Sequence, residues 1–81
     1  MASILTPNEL RELLATLLEG AAGGEHDAWL RAIGPVEKLP THFNLHCNWR
    51  VSPKGKSAER KAIAQAVELV RQEHPYVAAP R

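Results

Sequence analysis

Four histidines and one cysteine are the residues of this 81-residue chain whose chemistry suits a metal ion or a nucleophile. His42, His46 and Cys47 lie close together in sequence. On a helix the two histidines would share a face, but the residues around them alternate in polarity like a strand, where positions four apart are about 13 Å apart. Zinc with bonds of about 2.1 Å cannot bridge that distance. We therefore expect no metal site and no cofactor.

The same spacing argues against a cysteine nucleophile. Neighbouring residues on a strand point to opposite faces, so His46 would face solvent while Cys47 faces the core, and no base would activate the thiol. Cys47 is then a small buried apolar residue. No paired carboxylates and no Ser, His and Asp set stand out either, so the sequence predicts a protein that is not an enzyme.

A short segment, Gly55-Lys56-Ser57, resembles the end of a phosphate-binding P-loop. The full motif needs a glycine five positions before Gly55, where this chain has Arg50. What remains is a helix N-terminus that could attract an anion, flanked by four cations. These are Lys54, Lys56, Arg60 and Lys61. The alternative is a solvated basic loop without a ligand.

Charge is unevenly distributed although the whole chain carries only +1. Residues 1–41 hold three cations and six carboxylates, a net −3, whereas residues 42–81 hold seven cations and three carboxylates, a net +4. Five of the cations fall between positions 50 and 61. This segment makes nucleic acid the alternative partner.

Residues 43–51 form the clearest strand pattern in the chain. Apolar residues, which are Phe43, Leu45, Cys47, Trp49 and Val51, alternate with polar ones. Asparagine is disfavoured in strands, yet two asparagines lie in the middle of this one, among histidines and an arginine. We predict an exposed binding face made of His42, Asn44, His46, Asn48 and Arg50. Under the alternative interpretation a helix covers this face, or the residues are merely tolerated there.

Two amphipathic helices flank this strand. Thr6, Pro7 and Glu9 mark the start of a helix over about 7–19, which Gly20 should end. Its leucines at 10, 13, 14, 17 and 18 form one apolar stripe. A second helix is expected over about 58–73, capped by Ser57 and ended by His74-Pro75. The tail at 75–81 either docks through Tyr76 or frays.

The segment 28–39 is harder to interpret. As a helix, residues 25–35 would be capped by Asp27 and share a face through Trp29, Leu30 and Ile33; as a strand, the same residues also alternate. Residues 36–39 look extended in both interpretations. The fold predicted is a single α+β domain of order α-β-β-α, with a short antiparallel sheet packed against an N-terminal and a C-terminal amphipathic helix.

Composition and sequence pattern indicate the class of protein and where in the cell we expect it. Apolar residues make up 44% and charged residues 23%, as in ordinary globular domains. The start of the chain lacks a signal-peptide pattern and no apolar run is long enough to span a membrane. A single cysteine fits a reducing compartment. We expect a soluble cytoplasmic protein with no membrane partner.

These observations support two functional hypotheses. A two-stranded sheet is marginal alone, and a long uncovered strand edge is a template for another chain. The first hypothesis is a small non-catalytic interaction module that forms a homodimer or binds a protein partner through the strand edge and the predicted polar face. The alternative is a small nucleic-acid-binding or regulatory protein that uses the basic segment 50–61.

Overall fold

The computed structural model describes residues 4–40 and 47–78. Five elements follow one another in the order α1 (Pro7–Ala22), α2 (His26–Ile33), β1 (Val36–Lys38), β2 (Trp49–Val51) and α3 (Ser57–Glu73). The α+β class is confirmed, with one helix more than the predicted order. Within the described residues, no helix has the length and apolar character needed to cross a bilayer.

The start of α1 agrees with the prediction and its end does not. Thr6 Oγ1 accepts a hydrogen bond from the Glu9 N–H at 3.2 Å, and the Glu9 carboxylate accepts one from the Thr6 N–H at 2.9 Å. The helix does not stop at Gly20. It continues through two alanines, which favour helix. It ends at Gly23, whose φ of +78° is rarely adopted by residues other than glycine.

Residues 26–33 form a helix, so the helical interpretation of this segment is confirmed. Glu25, rather than the predicted Asp27, occupies the N-cap position. Two hydrogen-bonded contacts hold α2 against α1. The Trp29 indole N–H donates to the Gly23 carbonyl at 2.7 Å, and the Arg11 guanidinium donates to the Leu30 carbonyl.

The two strands pair antiparallel, with Val36 opposite Val51 and Lys38 opposite Trp49. The prediction of extended structure after residue 35 is confirmed for β1. The prediction of a strand over 43–51 is confirmed for Trp49–Val51 and wrong for Cys47 and Asn48, which are described and not strand. Residues 43–46 lie outside the described residues. Just before β2 the Asn48 carbonyl accepts from the Leu39 N–H at 2.6 Å, but the Asn48 N–H donates at 3.0 Å to Pro75. The ladder therefore stops at this position.

The core lies where the three helices meet the sheet. Its largest fully buried side chains come from all three helices and from β2. They are Leu10, Leu14, Ile33, Trp49 and Ile63. Burying each such side chain contributes roughly 1.5–3 kcal/mol relative to exposure. From α3 the buried residues are Ile63, Ala66, Val67 and Val70. This helix begins at Ser57 with Lys56 as its N-cap, one residue earlier than the predicted cap.

The C-terminal segment 74–78 runs back across the start of β2. The Trp49 indole N–H donates to the His74 carbonyl at 2.7 Å, while the Arg71 guanidinium lies over the same indole ring at 5.6 Å from its centroid. Further on, the Ala78 N–H donates to the Leu5 carbonyl at 2.8 Å. Of the two alternatives for the tail, docking is therefore the one observed for residues 74–78, and its most buried side chain is Val77, which is 4% exposed, whereas Tyr76 is 41% exposed.

An imidazole links the first two helices at the surface. His26 Nε2 lies 2.6 Å from a Glu12 carboxylate oxygen, and His26 Nδ1 lies 3.0 Å from a Glu19 oxygen. Glu12 and Glu19 are two turns apart on one face of α1, so the ring fits between them. Both ring nitrogens can donate only when the ring is protonated. These hydrogen bonds, the one to Glu12 first, raise the pKa of His26 above its ordinary value of 6.5.

This link predicts a pH-dependent stability. At pH values below the ordinary histidine pKa the ring is protonated in both the folded and unfolded chains, and its bonds to Glu12 and Glu19 contribute fully. The contribution is lost as pH rises through the higher pKa of the folded state. Thermal unfolding between about pH 5.5 and 8.5 should therefore show a fall in stability that is smaller in His26→Gln.

The matching NMR titration should place the folded-state pKa of His26 above 6.5. The substitution leaves the remaining histidines in place, so the difference between wild type and variant isolates the contribution of His26. Equal pH dependence in the two proteins, or a His26 pKa at or below the ordinary value, would contradict the assigned link.

Candidate interaction surface

The prediction that the polar face is exposed is wrong for Asn48. Its side chain is inside the protein, and the residue is only 4% exposed. Asn48 Nδ2 donates to the Val77 carbonyl at 3.1 Å, and Asn48 Oδ1 accepts from the Val77 N–H at 2.6 Å. A primary amide offers a donor and an acceptor side by side, which matches the N–H and C=O of one extended residue. Asn48 therefore fastens the C-terminal segment instead of facing a partner.

The other members of that face are divided. His42, Asn44 and His46 lie outside the described residues. Arg50 is exposed as predicted, and its guanidinium pairs with the Glu37 carboxylate directly across the sheet at 3.2 Å. Cys47 is half-buried against the core, with Sγ 3.2 Å from the Trp49 carbonyl oxygen. Among the described residues, no three His, Cys, Asp or Glu side chains are arranged to hold a metal ion.

The described part of the predicted strand edge is short. Of residues 47–51, three form β2, and the Asn48 N–H before it is already bonded to the Pro75 carbonyl. A partner strand approaching that end of β2 would have to displace residues 75–77. Pairing along the described part of this edge therefore has few backbone groups to use.

The basic loop-helix segment, residues 54–61, is exposed at the start of α3, as the sequence predicts. Lys54, Lys56, Arg60 and Lys61 are all exposed. The loop is held in place because the Lys54 N–H donates to the Ala32 carbonyl at 2.7 Å. At the helix N-terminus itself, however, the Glu59 carboxylate accepts the Lys56 N–H at 3.1 Å. One of the backbone N–H groups predicted to attract an anion is therefore already bonded to a side-chain carboxylate.

A surface that the sequence reasoning missed lies between α1 and α3. It is an apolar groove of about 220 Å³. Its lining residues are Leu17, Leu18, Ala21, Ala22, Ala62, Gln65, Ala66 and Leu69. Two of them stand out from the surface, because Leu17 is 41% exposed and Leu69 is 65% exposed. We call this feature the α1–α3 groove.

The groove follows from side-chain size. Four alanines, two on each helix, line the space between α1 and α3 and leave it unfilled, while the leucines at its margins find no partner to cover them. A signal for it is present in the sequence. The stripe of five leucines on α1 extends beyond the three buried ones to Leu13 and Leu17, and Leu69 widens the stripe of α3. Both stripes are broader than the core of so small a protein can cover.

The buried amide of Asn48 makes a prediction about stability. Asn48→Ala leaves the N–H and C=O of Val77 buried without partners, which should lower the free energy of unfolding by about 2–4 kcal/mol. Asn8→Ala, at an exposed asparagine on α1, is the matched control and should change it by less than about 0.5 kcal/mol. Urea unfolding followed by tryptophan fluorescence measures both. Equal effects in the two variants would contradict the assigned role of Asn48.

No protein-family model matches the chain, no curated protein matches it, and no solved structure matches it. A function for the α1–α3 groove or for the basic segment must therefore be argued from the chemistry of the described residues themselves.

Proposed function

We propose that this chain is a non-catalytic interaction module that pairs with a second copy of itself through the α1–α3 groove. The observation that supports the proposal is the exposure of Leu17 and Leu69 beside an alanine-lined groove. A lone exposed leucine is ordinary, but two of them bordering one concave apolar surface are typical of a contact surface.

Apolar burial supplies the driving force. Covering a leucine side chain contributes roughly 1.5–3 kcal/mol when it becomes fully buried. A symmetric pair would cover Leu17 and Leu69 on both copies. Part of that gain is offset by the translational and rotational freedom lost on association, so the net affinity is modest.

The chemistry of the groove favours a second copy as the occupant. None of its lining residues is charged, so placing the same patch on both sides of a two-fold axis brings no like charges together. In the proposed dimer, a projecting leucine of one copy would fill the space over the alanines of the other. A net charge of +1 adds little general repulsion between copies.

The number of residues that line the groove indicates how strong the association should be. Eight residues line it, whereas a standard interface involves about 20–30 residues on each side. The groove would then be the centre of a small interface. We expect a dissociable dimer whose population rises over the range from about 1 μM to 1 mM, not a permanent one.

Sedimentation equilibrium over that concentration range tests the proposal. Leu69→Glu places a carboxylate on each copy near the two-fold axis and should leave the protein monomeric. Ala64→Glu adds the same charge at an exposed α3 position outside the groove, about 140° around the helix from Leu69, and should keep the wild-type association. Because both positions are exposed, unfolding of either variant should differ from wild type by less than about 0.5 kcal/mol.

Two results would contradict the proposal. A wild-type protein that stays monomeric across the whole range would show that the groove does not pair copies. Association that survives unchanged in Leu69→Glu would assign the contact to another surface.

A further inference from the structure

Four cations at the start of α3 are left without acidic partners among the described residues. The described carboxylates that form ion pairs do so elsewhere, as with Glu37 and Arg50, Glu68 and Arg71, and the two glutamates at His26. Glu59, the one carboxylate within the segment, is turned to the backbone N–H of Lys56. We propose that residues 54–61, with Lys54, Lys56, Arg60 and Lys61, bind the phosphate backbone of nucleic acid without regard to base sequence.

The backbone places the four cationic residues close to one another. The Arg60 N–H donates to the Lys56 carbonyl at 2.9 Å, so these two residues are one helical turn apart on the same side of α3. Lys61 follows directly, which puts the helical cations within about 8 Å along the axis at 1.5 Å per residue. Lys54 is two residues before Lys56 on the loop held by Ala32. The backbone is fixed, and the long side chains can adjust to a ligand.

The position of Glu59 decides between a small anion and a polymer. A single phosphate at the helix N-terminus would compete with the Glu59 carboxylate for the Lys56 N–H and would be repelled by its charge. A nucleic acid, with one phosphate at every nucleotide, can instead contact the charged ends of the four side chains. Each contact releases condensed counterions, a gain in free energy that a small anion does not provide.

The basic segment is separate from the α1–α3 groove. Arg60 and Leu69 are nine residues apart on one helix, which places them on opposite sides of α3 at about 100° per residue. A dimer formed through the groove would leave Arg60 accessible. The nucleic-acid proposal therefore stands or falls independently of self-association.

Fluorescence anisotropy with a labelled 20-base-pair DNA and a labelled single strand of the same sequence tests the proposal. If four phosphates are contacted, the logarithm of the duplex association constant should fall with the logarithm of salt concentration at a slope of about −3 to −4, so that doubling the salt weakens binding about tenfold. A second duplex of scrambled sequence should bind equally well.

Single charge removals provide the matched comparison. Arg60→Gln should make the slope less steep by about one. Lys38→Gln removes an equal charge from β1, at the end of the strand pair that lies away from the loop, and should leave the slope unchanged. Both residues are exposed, so neither substitution should alter the fold.

Three outcomes would overturn the proposal. The first is an absence of binding to either DNA at low salt and high protein concentration. The second is an equal loss of binding in Arg60→Gln and Lys38→Gln, which would show that only the total charge matters. The third is tighter binding to polyglutamate than to DNA at the same salt, which would assign the segment to an acidic protein partner.

Discussion

The paired hydrogen bonds between the Asn48 amide and the backbone of Val77 are the constraint on which the rest of this structure depends. They bring the C-terminal segment across the start of β2, where the Trp49 indole adds a bond to the His74 carbonyl. Trp49 is thereby covered by the segment and by Arg71, and it is only 1% exposed in the core. A sheet with three residues per strand gains from this extra layer, because two short strands alone are marginal in water.

The same constraint decides which surfaces remain for partners. With Asn48 inside and Arg50 paired to Glu37, the described part of the predicted polar face offers little for recognition. The start of β2 is covered by the C-terminal segment of the same chain. Two chemically simple surfaces stay accessible in the described part of the chain: an uncharged apolar groove on one side of α3 and a cationic segment at its start. Under the two proposals these surfaces would bind their partners by opposite means, the groove by burial of apolar area and the basic segment by long-range charge.

The sequence predicted the elements whose signals are local. The capping box of Thr6 and Glu9, the apolar period of α3 and the extended residues after Pro35 depend on near neighbours, and the structure confirms them. Asn48 illustrates what local signals miss. Its alternation with Cys47 and Trp49 predicts an outward side chain, but the partner that draws it inward is 29 residues away. Likewise, the α1–α3 groove exists only because alanines from two distant helices meet. The exposed cations of the basic segment needed no such contact, and the structure places them as predicted.

Amide hydrogen exchange of Val77, measured by NMR on the folded protein near neutral pH, tests the central structural claim most directly. The account predicts that the Val77 amide exchanges far more slowly than an unstructured peptide, as do the amides of Asn48 and Ala78 that hold the same segment. Exchange of Val77 at the rate of an unfolded chain would contradict it. Asn48 would then be free to face solvent, and the polar face predicted from the sequence would have to be restored as the candidate site.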